Sequence, residues 1–192
     1  MTPNAKIVIS HPVREALIEL TAKGFVESFP RRGAFVVTLS VQDIEDHFEV
    51  ISLLFGLTTR RAAENVTAAQ LHHLQQLHTE ITTTQDRPQR LALSYEFNRL
   101  INRIGTSDRL LQKMWFFALA LPTDFYFSTT RWPAIETVYR ERILAALDDH
   151  DPDAAAKAST DHLHACAKVT IEELRSRGYW GASGDDVAEA AS

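Results

Sequence analysis

The chain has 192 residues, 45% hydrophobic and 23% charged, which is enough apolar mass for one sizeable core and a small appendage and excludes a disordered bulk. Its formal charge is −5 and Cys166 is its single cysteine, so a disulfide framework and a thiolate metal site are excluded and a buried thiol is expected. No apolar run approaches the length of a membrane span and the first residues lack a signal peptide's apolar core, so a cytoplasmic protein without a membrane partner is expected.

The first predicted element is a helix opening at Pro12, which suits a first helical turn, with Ser10 or His11 as its cap. Val13, Ala16, Leu17 and Leu20 recur at helical spacing, and Gly24 supplies a left-handed stop. Phe25-Val26 and Ala34-Phe35-Val36-Val37 then read as short strands around Pro30-Arg31-Arg32-Gly33, a turn whose arginines and glycine allow close approach to a phosphate. Helix, glycine stop, hairpin and basic turn in that order read as the back half of a winged helix-turn-helix, which points to duplex DNA. Residues 1 to 38 carry five basic and three acidic side chains, a net of +2 that leaves −7 on the remainder, as suits a small DNA-facing end on an acidic body.

A boundary is expected at Leu39-Ser40, with Ser40 and Asp43 forming a capping box for a helix over about 41 to 64 that presents Ile44, Phe48, Ile51, Leu54 and Phe55. Thr67 and Gln70 open a second helix through Leu71, Leu74, Leu77 and Ile81, and Arg87-Pro88 opens a third that runs to Gly105. Ser107-Asp108 caps a fourth, aromatic-rich helix (Trp115, Phe116, Phe117) that is interrupted or kinked near Pro122. Trp132-Pro133 starts a fifth that reaches about Asp149, and Asp151-Pro152 launches the last, to about Arg177. The small, acidic tail over 181–192 is expected to be disordered. The predicted fold is mainly α: an antiparallel bundle of about six helices over 40–177, preceded over 1–38 by a partial winged helix with a small β-hairpin wing.

VREALIELTAKGFVE followed by RRGAFV resembles the recognition helix and wing of GntR-family bacterial transcription regulators, and the helices after it resemble the FCD effector domain of the FadR-type subfamily, over roughly residues 5 to 175. The resemblance implies further helical residues before the recognition helix, so either the chain starts inside a longer reading frame or it is a shortened regulator with weakened DNA affinity. It also implies a symmetric homodimer on a near-palindromic operator. Ser10, His11, Arg14, Arg31, Arg32 and Gly33 are the candidate DNA contacts. In the family's first effector-domain helix an arginine and a glutamate are usual where this chain has Ile51 and Phe55, which suggests compensation for a missing contact or a larger dimer surface.

Many subfamily members hold a divalent metal on an aspartate and three histidines, and the matching positions here are Ser94, Asn98, Arg140 and His162. An arginine repels a cation, so no metal and no other cofactor is expected. A guanidinium among neutral hydrogen-bonding groups suits a carboxylate or phosphate instead, which suggests a metal-free pocket for a small organic acid at Ser94, Asn98, Arg140 and His162. The other reading of the same residues is a collapsed cavity in which Arg140 pairs with Glu136 or another carboxylate. His72, His73, His78 and His164 are expected at the surface; Tyr126, Trp132 and Tyr139 belong to the core or to a pocket lining.

No nucleotide-binding glycine loop, nucleophile elbow, HExxH pattern or spaced carboxylate pair points to an enzyme. A ligand-responsive regulator accounts for both ends of the chain. The alternative is a ligand-binding or dimerising module with weak or no specific grip on DNA.

Overall fold

The computed structural model describes residues 11–22, 24–118 and 131–180. Ser10, the Pro122 region, Tyr126 and the tail from 181 lie outside them, as do the side chains of Trp115 and Phe116. The chain divides into two compact units, Met1–Leu39 and Ser40–Ser192.

In the first unit, α1 (His11–Ala22) stops where Gly24 turns left-handed at φ +76, and the Phe25 amide donates back to the Leu20 carbonyl at 2.9 Å. Strands β1 (Val26–Phe29) and β2 (Gly33–Val36) pair antiparallel from Val26↔Val36 to Phe29↔Gly33. The pairing corrects the expected strand limits, because the turn is tighter than the sequence suggested. Proline at its second position and Arg31 at φ 66 at its third let the Arg32 amide reach the Phe29 carbonyl at 3.1 Å, which frees Gly33 to join β2. The apolar stripe of α1 is also less covered than its periodicity implies: Leu17 is half-buried, while Val13, Ala16 and Leu20 are exposed. A two-stranded hairpin is too small a surface to bury a whole helical face.

The second unit is an all-helical bundle. Among the described residues it holds α2 (Val41–Asn65), α3 (Ala68–Thr83), α4 (Arg87–Gly105), α5 (Asp108–Ala118), α6 (Trp132–Asp148) and α7 (Pro152–Ser176). Both capping boxes form: Asp43 N donates to Ser40 Oγ while Ser40 N donates to the Asp43 carboxylate, and Thr67 and Gln70 repeat the exchange. Asp151 accepts from the amides of Asp153 and Ala154, with Pro152 at the first helical position of α7.

The long helices α2 and α7 form the largest contact, and α2 and α6 also pack on α4 and α7 respectively. Ala62, Leu74, Phe97, Ile101 and Leu147 sit in the common core. Two glycines set the spacing. A Cβ on Gly105 would collide with the Thr58 carbonyl, and one on Gly56 would come within 2.8 Å of Thr160 Oγ1, so α2 approaches α4 and α7 at backbone distance. Ile44, Phe48 and Ile51 face inward, with Leu54 and Phe55 half-buried. No helix among the described residues is long and apolar enough to cross a membrane.

Candidate effector site and DNA-facing surface

The buried polar centre of the bundle is Arg140 on α6, whose side chain is only 3% exposed. Its Nη2 donates to Ser94 Oγ on α4 at 2.9 Å and to Glu136 Oε2, one turn back on α6, at 2.7 Å. The guanidinium also stands over the Phe97 ring, 5.6 Å from its centroid, in a cation–π contact. Nη2 belongs to both forked edges of a guanidinium, so each edge keeps one donor: Nε on one and Nη1 on the other. Both are buried with no hydrogen-bond partner. An oxygen acceptor placed at either edge would satisfy a donor that is costly to leave unmade.

His162 on α7 reaches the same region. Burial lowers its pKa to about 4, the neighbouring Glu136 carboxylate opposes the fall, and Arg140 adds to it, so the imidazole is neutral near pH 7. Its ring lies 5.4 Å from that of Tyr139, and its Nε2 is buried without a partner. One turn along α7, Cys166 is fully buried, and burial, reinforced by Glu136, raises its thiol well above the ordinary value. Asn98, one turn from Ser94, is half-buried and makes no hydrogen bond to the cluster among the described residues.

Of the four candidate residues, Arg140 is hydrogen-bonded to Ser94 and acts electrostatically on His162, while Asn98 stands one turn from Ser94 without a hydrogen bond to the others among the described residues. These residues do not fit a metal. Ser94 Oγ already accepts from a buried guanidinium, and a cation there would lie against that positive charge. Among the described residues no group of three or more His, Cys, Asp or Glu side chains is arranged to hold an ion.

Sequence reasoning missed His78, expected at the surface. Its side chain is 16% exposed, its Nδ1 is buried without a partner, and burial followed by the charge of Arg140 lowers its pKa against the pull of Glu141. The surface expectation failed because His78 follows the core residues Leu74 and Leu77 by one turn and one residue, and so rides at the edge of the buried face of α3. His73 and His164 are more exposed and lie 3.5 Å from Glu96 and 2.8 Å from Glu49 respectively. Trp132 is in the core, and Tyr139 flanks the site through His162.

In the first unit, Arg14, Arg31 and Arg32 are all exposed, and Arg14 and Arg31 line one groove of about 710 Å³ between α1 and the hairpin, with Leu17, Ile18 and Phe29. Gly33, at φ 98, has open space where a Cβ would stand. His11 lies at the start of α1, 3.4 Å from Glu15. This unit thus presents three cations beside a backbone that a phosphate can approach closely.

Residues 46–165 match the FCD domain family. The HTH-type transcriptional repressor RspR of Escherichia coli K12 is 25% identical over 173 residues, spanning 88% of this chain and 75% of that protein. A probable D-xylose utilization operon transcriptional repressor of Paenarthrobacter nicotinovorans is 29% identical over 162 residues, spanning 83% of this chain and 72% of that protein. Among solved structures, a GntR-family transcriptional regulator from Pseudomonas syringae pv. tomato superposes with a TM-score of 0.61 at 20% identity, covering 86% of this chain and 71% of that one.

Proposed function

Because the chain belongs to the FCD domain family, we propose that it is a ligand-responsive transcription regulator of the GntR type, contacting duplex DNA through α1 and the wing and its effector inside the helical bundle. The DNA contacts are Ser10, His11, Arg14, Arg31, Arg32 and Gly33, with the arginines neutralising phosphates and α1 directed at base edges. The protein works as a cytoplasmic homodimer and not as an enzyme. The effector is a small organic acid held by Arg140, with Ser94 and Asn98 orienting it and His162 supplying a further hydrogen-bonding group. The observation that carries this reading is the pair of buried donors, Nε and Nη1 of Arg140, that have no partner. An effector regulates only by binding one arrangement of the dimer more tightly than the other, and its differential affinity sets the size of the response.

The 2.7 Å contact between Arg140 and Glu136 favours a second reading, a closed core in which that pair is purely structural. A thermal-shift panel of sugar acids, dicarboxylates and amino acids separates the two. A ligand at about 100 times its dissociation constant stabilises by about 2.7 kcal/mol when it binds only the folded state. The effector reading expects such a shift from at least one acid and its loss in Arg140→Gln. A panel in which no acid shifts the melting curve leaves the closed core standing.

A further inference from the structure

Helix α2 is buried on one side and bare on the other. Val50, Leu53 and Leu57 are 43%, 63% and 38% exposed and, at spacings of three and four, form one stripe along the helix. The exposed charges near the stripe are Glu45, Asp46 and Glu49 on its N-terminal side, and Arg60, Arg61 and, one turn beyond Arg60, Glu64 on its C-terminal side; the position that mirrors Glu64 about Leu53 is the uncharged Gln42. Asp46 and Arg60 lie on the stripe itself at equal distances from Leu53, seven residues before it and seven after, about 10 Å each way.

We propose that this stripe is the interface between two copies of the chain, joined as an antiparallel α2–α2 pair about a two-fold axis at Leu53. The proposal rests on the homodimer reading above and assigns that dimer its surface. An axis at Leu53 sets Leu53 against its own copy, encloses it with Val50 and Leu57 from both sides, and brings each Asp46 to the Arg60 of the other protomer. A parallel pair would instead set acid on acid and base on base. A different protein would not require acid and base at equal distances from the centre, whereas a self-complementary patch is what a two-fold interface demands. Arg60 and Glu49 have partners within the chain, Asp153 and His164, but all four side chains are largely exposed, so the interface draws them from a solvated rim. Ile51 and Phe55 lie on the opposite side of α2 from the stripe, Ile51 buried and Phe55 half-buried.

Sedimentation velocity of the full 192-residue chain at micromolar concentration tests the assignment. Wild type is expected to dimerise, and Leu53→Lys, at an exposed position that leaves the helical content by circular dichroism unchanged, to raise the dimer dissociation constant by at least about tenfold. Asp46→Lys and Arg60→Glu each set like charges together twice and are expected to weaken the dimer several-fold. An equimolar mixture of those two variants restores opposite charges at both contacts and is expected to dimerise as wild type does. If Leu53→Lys dimerises like wild type, the dimer stands but this face is not its interface. If the mixture gains nothing over the separate variants, the antiparallel arrangement is wrong. A wild-type chain that stays monomeric throughout overturns the homodimer reading together with the assignment.

Discussion

Arg140 and Glu136 carry opposite charges in the core, 2% and 5% exposed, and removing either alone strands the other. Arg140→Leu deletes the 2.7 Å ion pair and the 2.9 Å bond to Ser94 and leaves the Glu136 carboxylate uncompensated. Breaking a buried pair in this way costs about 3–5 kcal/mol, whereas replacing both members with apolar side chains of similar volume is close to neutral. At about 2–4 °C of melting temperature per kcal/mol for a chain of this size, the single variant should melt about 6–20 °C below wild type. Glu136→Leu should fall by a similar amount, because it strands the guanidinium. The double variant Arg140→Leu/Glu136→Leu should return to within about 1.5 kcal/mol of wild type, giving a strong negative coupling in the double-mutant cycle. Urea denaturation followed by circular dichroism at fixed protein concentration measures all four corners. An Arg140→Leu chain within about 1 kcal/mol of wild type would refute the reasoning, since a carboxylate truly confined in this core cannot lose its partner so cheaply.

Stability should fall in acid through His162, whose folded pKa of about 4 lies below its unfolded value of 6.5. The neutral ring's contribution is fully present above about pH 6.5 and is lost as pH falls toward 4, at up to about 1.4 kcal/mol per pH unit, and His162→Gln should flatten that part of the stability curve. Gly105→Ala should destabilise by about 3 kcal/mol or more, because the new methyl meets the Thr58 backbone rather than a side chain free to rotate; chemical denaturation measures it, and a loss below about 1 kcal/mol would mean that α4 is free to move off α2. Duplex DNA binding should weaken steeply with salt, and Arg31→Ala and Arg32→Ala should each lower the affinity for promoter and scrambled DNA alike and reduce the salt slope by about one, as read by fluorescence anisotropy at two salt concentrations.

Much of the helical body is written locally. Ser40 with Asp43, Thr67 with Gln70, and Asp151 each satisfy orphan amides through side chains three or fewer residues away, and Pro152 has no amide to satisfy, so short windows of sequence suffice to place those helix starts. Ser94, Asn98, Arg140 and His162 were legible as candidates through the resemblance, at the positions matching the family's metal ligands, and each also shares a helical face with apolar residues, where a polar side chain is out of pattern. What periodicity did not reveal is which groups satisfy one another. The Ser94 bond to Arg140 and the place of His78 at the edge of the cluster depend on how α3, α4 and α6 rotate against each other, and that rotation is set by packing across the whole bundle. The wing failed differently. Pro30 and Gly33 mark the turn, but the left-handed Arg31 that tightens it is a conformation an arginine rarely adopts, so nothing in the local sequence announces the register.

The ion pair at the centre of the bundle has both members on α6, one turn apart, so the two charges move as one passenger of that helix. Its ties to α4 are a single hydrogen bond to Ser94 and the face of the Phe97 ring. Sliding or rolling α6 against α4 therefore strains one polar bond and one ring contact while the opposite charges stay together. The desolvation penalty that would oppose separating two buried charges held on different helices therefore does not resist a slide of α6 against α4.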